Sequence, residues 1–131
     1  MPDDLSTQVI QITHYSLVQS RDAFVAAIQA LARRTEAEGH PGVLGYRFYA
    51  NTDTQTAGAV ITYADASAWL AHHQIAYQWE EMPKLQATVI LQSLALFGPL
   101  SEEVENWIQK TGISYTHYDL PAAGFVRAQQ S

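Results

Sequence analysis

The stretch from Gln86 to Phe97, with its run Thr88-Val89-Ile90-Leu91-Gln92-Ser93-Leu94-Ala95-Leu96-Phe97, constrains the fold more than any other part of the chain. Its length and leucine content permit a helix. The β-branched start at Thr88-Val89-Ile90 and the closing Gly98-Pro99 favour a strand. Successive strand residues point to opposite sides, so a strand this apolar carries greasy side chains on both faces. Helices of the same chain can cover one face of its sheet. The other face needs a second sheet.

The remaining segments say which helices and strands are at hand. Gln8 to Leu17 is rich in β-branched residues and reads as a first strand, after a polar lead over residues 1–7. Ser20 is an N-cap, Asp22 sits in the first turn, and Phe24, Ile28, Leu31 and Thr35 recur at the spacing of one helix face. Gly39 is expected to end this helix in the left-handed conformation. Val43 to Tyr49 reads as a second strand, hairpinned through Asn51-Thr52-Asp53-Thr54 to a third over Ala57 to Tyr63. Asp65 caps a second helix with Trp69, His72, Ala76 and Trp79 on one stripe, and Pro83 is expected to break it. Ser101 caps a last helix with Val104, Trp107, Ile108 and Thr111 on its apolar face, ended by Gly112. A short strand over Ile113 to Tyr118 and a tail anchored by Phe125-Val126 complete the reading.

The order is βαββαβ with an added C-terminal helix, which predicts an α+β, ferredoxin-like antiparallel sheet with helices on one face. The length of 131 residues suits one domain over 1–131, its core over about 8–98 and the C-terminal helix and tail over 99–131. A symmetric copy could cover the open sheet face, which predicts a homodimer.

Composition narrows the function. Seven Lys and Arg against thirteen Asp and Glu give a net charge of −6, and no basic cluster exists to track a phosphate backbone, so nucleic acid is not an expected partner. No apolar run reaches the length of a membrane span, and the acidic start Met1-Pro2-Asp3-Asp4 is unlike a signal peptide, so the expected location is the cytoplasm. The absence of cysteine excludes disulfides, thiolate metal sites and a cysteine nucleophile. Adjacent His72 and His73 lack the i, i+4 spacing of a helical metal pair, so no metal is expected.

Three features carry a family resemblance. They are the strand Gly45-Tyr46-Arg47-Phe48 leading to a polar turn, the helix start Ala64-Asp65-Ala66-Ser67-Ala68-Trp69 followed by His72, and the final apolar strand after a short broken helix. In these the chain resembles the antibiotic biosynthesis monooxygenase family of dimeric α/β barrels. The resemblance implies a homodimer with two sheets face to face and a pocket in each subunit between sheet and helices. It also implies cofactor-free oxygenation of a polycyclic phenol, with no cofactor required, and a tryptophan, here Trp69, lining the pocket. Haem degradation, the other activity among such relatives, uses an Asn in the first strand. This chain has Gln8, Gln11, Thr13 and His14 there, which counts against it.

The residues offer their own candidates. His72 lies one turn from Trp69 and could act as general base, its unperturbed pKa being near 6.5. His73 leaves the helix about 100° away and is expected to face elsewhere. Arg47 could hold a developing oxyanion; equally, it could pair with a helix carboxylate. Asn51 could hydrogen-bond a substrate carbonyl or simply shape its turn. Tyr46 and Tyr63 could line a pocket or pack the core. The competing function is a non-catalytic homodimer that binds a small aromatic ligand or serves as a scaffold.

Overall fold

The computed structural model describes residues 6–127, so the first five residues of the polar lead lie outside it. The chain runs β1 (Val9–Leu17), α1 (Arg21–Glu38), β2 (Val43–Ala50), β3 (Thr56–Tyr63), α2 (Ala66–Ala76), α3 (Glu81–Gln86), β4 (Val89–Phe97), α4 (Glu102–Thr111) and β5 (Thr116–Tyr118). The strands form one sheet in the order β2-β3-β1-β4-β5. The first four are antiparallel neighbours, in the arrangement the βαββαβ order predicts. β5 joins parallel to β4, so the sheet is mixed rather than wholly antiparallel. The Gln86–Phe97 run is a strand from Val89 onward.

Each long helix begins where the sequence places a cap. Ser20 accepts from the Ala23 N–H, Asp65 from Ala68 and Ser101 from Val104. The far ends divide. Gly112 takes the left-handed conformation at φ 73°, as glycine at a helix end commonly does. Gly39 instead is extended. It must be glycine for room, since a Cβ there would collide with the Thr35 carbonyl oxygen. Pro83 does not break the second helix either. α2 ends at Ala76, and Pro83 lies in the first turn of the separate α3, where a missing N–H costs no helical bond. Arg34 on α1 ties α3 in place by donating to Glu81 at 2.8 Å while lying over the Trp79 ring.

Register decides which side chains meet the helices. Val9, Gln11 and Thr13 of β1, Ala59, Ile61 and Tyr63 of β3, and Leu94 and Leu96 of β4 are buried on the helix side. A bulge lies between His14 and Tyr15 in the β1–β4 pairing, where Gln92 is the extra residue. Beyond it, Leu91 and Val89 rather than Gln92 and Ile90 stand opposite Tyr15 and Leu17. On the other face stand Ile10, Ile12, Val60, Ile90 and Phe97, with Val60 and Ile90 exposed. That face carries no helix of this chain among the described residues. The tail is a correction: Phe125 and Val126 are each 75% exposed and are not part of the core among the described residues.

α4 docks through Val104 and Ile108, both fully buried, while Trp107 is half-buried against Trp69 and Tyr77. Ile108→Ala should therefore cost about 2–5 kcal/mol in urea unfolding. A loss below ~0.5 kcal/mol would mean that α4 contributes no core.

Candidate functional site

A cavity of about 260 Å³ lies between the helix side of the sheet and α2, α3 and α4, at the small end for ligand sites. Its floor is Gln11, Thr13 and Tyr15 from β1, Tyr46 and Phe48 from β2, and Ile61 and Tyr63 from β3. Trp69, His72, His73 and Tyr77 of the α2 segment form one wall, extended by Trp107 of α4, and Leu91 and Leu94 of β4 also line the cavity. Tyr77, Gln86 and Leu91 are exposed and mark where the cavity meets the surface. None of the residues lining it is Asp, Glu, Lys or Arg.

Two hydrogen bonds fix the α2 wall. The Trp69 indole Nε1–H donates to Gln11 Oε1 at 2.8 Å, joining helix to central strand with both groups buried. One turn on, the His73 ring stacks on the Trp69 indole with centroids 3.8 Å apart, and its Nδ1 lies 2.7 Å from the Trp69 carbonyl oxygen. A carbonyl only accepts, so Nδ1 carries the proton and Nε2 of the neutral ring keeps its lone pair. His72 is 3% exposed, its ring edge-on to Tyr46 at 5.5 Å and 5.9 Å from the ring of Tyr63. The His72 Nδ1 and the Tyr63 hydroxyl are both buried with no hydrogen-bond partner.

Burial sets the protonation states. Loss of water, with a smaller push from the His40 imidazole, lowers His72 from 6.5 to about 4. His73 falls to about 3, by burial first and by His72 second, against the opposing bond to the Trp69 carbonyl. Both rings are therefore neutral at pH 7. Burial also raises the phenols of Tyr46 and Tyr63 above their ordinary 10, so both keep their protons.

The sequence candidates divide cleanly. Trp69, His72, Tyr46 and Tyr63 all line the cavity. Arg47 does not: it pairs with Val60 on the open face of the sheet, because strand alternation sends it opposite to Tyr46 and Phe48. Asn51 lies in the β2–β3 turn, where its Oδ1 accepts from the N–H groups of Asp53 and Thr54. His73, expected to face elsewhere, lines the same cavity as His72, because the cavity wraps around α2 toward Trp107. Gln11, Tyr15 and Tyr77 were not singled out for the site. The alternation Val9, Gln11, Thr13 with core-facing neighbours was the signal that could have placed Gln11 inward. Among the described residues no group of three His, Asp or Glu side chains could hold a metal ion, and no helix is long and apolar enough to cross a membrane.

The two lowered histidines make stability depend on pH with a definite sign. Between pH 6.5 and about 4 the unfolded chain binds protons that the folded chain refuses, so stability falls as pH falls through that window. Above about pH 7.5, where both states have lost these protons, the pair adds no slope. Unfolding free energies from urea titrations at pH 6.5 and 5 should differ by roughly 1–2 kcal/mol on account of His72, and His72→Gln should remove that share of the difference. Parallel pH curves for the two proteins would show that His72 is not held neutral.

By sequence, no protein family and no curated protein matches the chain. By structure, several solved proteins do. MupZ from Pseudomonas fluorescens is 20% identical and superposes with a TM-score of 0.72 over 92% of this chain and 95% of its own. SnoaB, a cofactor-independent oxygenase from Streptomyces nogalater, is 13% identical with a TM-score of 0.57 over 72% of this chain and 95% of its own. A candidate antibiotic biosynthesis monooxygenase from Caulobacter crescentus is 19% identical, with a TM-score of 0.55 over 70% of this chain and 87% of its own. What these proteins share with the chain is architecture: it has the ferredoxin-like α+β fold of the antibiotic biosynthesis monooxygenase-like proteins.

Proposed function

We propose that this protein is a cofactor-independent monooxygenase acting on an aromatic, phenolic small molecule bound in the cavity. The observation that carries the reading is the pairing of an aromatic cavity with two neutral imidazoles on one wall, in the fold of a cofactor-independent oxygenase. Trp69, Tyr46 and Tyr63 supply flat surface for an aromatic ring. A histidine takes the proton from an acidified methylene or phenol, leaving an electron-rich carbanion that reduces O2 directly. The resulting peroxide loses water. One oxygen atom stays in the product as a carbonyl, the other leaves as water, and the four electrons come from the CH2 group that becomes C=O.

The roles differ from those expected of the sequence. Arg47 does not line the cavity, so in this reading hydrogen-bond donors in the cavity wall hold the developing oxyanion. His73 competes with His72 for the base, because its proton is fixed on Nδ1 and its Nε2 is left to accept. A non-catalytic, ligand-binding protein is the second reading. It is favoured by the low basicity of both rings, since a base works best with a pKa near the working pH.

Oxygen uptake with anthrone separates the two. In the monooxygenase, replacing the histidine that acts as base, by His72→Ala or His73→Ala, slows uptake roughly 10²- to 10⁴-fold. Uptake stays level from about pH 5 to 8, because both rings are already neutral there. A complete lack of uptake alongside measurable anthrone binding establishes the binding protein.

We further propose that two copies pack through the open sheet face. Ile10, Ile12, Val60, Ile90 and Phe97 make that face apolar, and an apolar face of this extent is unusual on a lone soluble domain. Sedimentation at micromolar concentration should give about twice the mass of the chain, and Val60→Glu should shift it toward the monomer. A wild-type monomer removes the paired-sheet reading.

A further inference from the structure

The cavity wall holds a hydrogen-bonding group whose direction is fixed by its neighbour. An indole N–H can only donate, so the atom of Gln11 that faces Trp69 must be the amide oxygen. The amide nitrogen is thereby turned away from the indole. It makes no other hydrogen bond among the described residues, and Gln11 lines the cavity. β1 is the central strand, paired on both sides, with Gln11 opposite Ile61 on β3 and Leu96 on β4. The amide therefore stands on the most rigidly held part of the sheet.

Tyr63 provides an independent pointer. It follows Ile61 by two residues on β3, so it is a diagonal neighbour of Gln11 on the same face. Its hydroxyl is buried in the cavity wall without a partner, an arrangement that costs stability unless something else satisfies it. Thr13 Oγ1 and His72 Nδ1 in the lining are unpaired as well; of these groups the Gln11 amide nitrogen is the one that can only donate, and the two hydroxyls can donate beside it. None is accompanied by a charged side chain, since the lining has none. A carboxylate or phosphate brought here would lose its water and meet no cation.

We infer that the cavity takes an uncharged ligand through a carbonyl-type oxygen, and that the Gln11 amide, oriented by Trp69, is the donor that receives that oxygen. This deepens the proposed function and rests on the cavity being its ligand site. It also supplies a donor, in place of Arg47, for an oxygen on which charge builds when the ring system loses its proton.

The test compares three probes of one ring framework, anthrone, anthracene and anthracene-9-carboxylate, bound under argon to the full chain. Trp69 and Trp107 both line the cavity, so quenching of tryptophan fluorescence reports occupancy. Gln11→Met should weaken anthrone about 10-fold, the usual worth of one hydrogen bond, and leave anthracene within ~2-fold. The carboxylate should bind the wild type far more weakly than anthracene does. The carbonyl stretch of anthrone should shift down on binding to the wild type and return toward its value in hexane in the variant. Where Gln11→Met does not fold, Gln11→Asn serves instead, since it withdraws the amide by one methylene.

Equal losses of anthrone and anthracene would reduce Gln11 to a prop for Trp69 and overturn the inference. So would a carboxylate that binds as well as anthracene, or a wild type that binds no probe. The oxygenase reading fails separately. Carbonyl-selective binding without oxygen uptake sinks the oxygenase and leaves this inference standing, whereas uptake with KM unchanged in Gln11→Met does the reverse.

Discussion

The bond from Trp69 to Gln11 is the point on which the site turns. Helix and sheet usually meet through apolar side chains that fill the space between them. Here a large aromatic on α2 is held by its polar edge to the central strand, and it cannot slide without leaving a buried N–H unpaired. With the indole fixed, His73 stacks on its face and Trp107 meets its edge. Three elements, β1, α2 and α4, are thus joined at a single ring.

That construction explains the electrostatics of the site. Rings close around the histidines and exclude water, and the excluded water lowers their affinity for protons. Tyr46 and Tyr63 feel the same exclusion in the opposite sense and keep theirs. Every titratable group in the wall is therefore driven to its uncharged form. A cavity of this kind offers shape and hydrogen-bond direction and lacks the long-range pull of fixed charge.

Much of the fold was legible because the helix signals are local. Caps at Ser20, Asp65 and Ser101 and the stripe Phe24, Ile28, Leu31 mark helices without reference to anything distant. The strand run was harder. The extra residue Gln92 breaks the period of two at the bulge, so the alternation that would have excluded a helix is interrupted in the middle of the run. Gly39 misled for a related reason: its need for glycine comes from the approach of the Thr35 carbonyl, which no local pattern encodes. Part of the cavity lining was legible as well. Trp69 and His72 share a helical face that spacing reveals, and Tyr46 and Tyr63 lie on strand faces that alternation reveals. Arg47 obeys the same alternation, but which face of a sheet meets helices is settled by the whole fold. His73 could not be placed from its angle on the helix, because the angle says nothing of how far a cavity extends around it.

The central position of β1 carries a consequence in time. Its two neighbours are β3 and β4, and the pairing with β4 joins the tenth residue of the chain to the ninety-seventh. Contacts so distant along a chain form slowly, because much freedom is lost before they reward it. As the chain leaves the ribosome, β1 can meet β3 while β4 is still unmade, and one edge of the central strand stays bare until then. Leu91 and Leu94, which line the cavity, arrive with that last partner. The cavity is therefore completed only after β4 and α4 have been made.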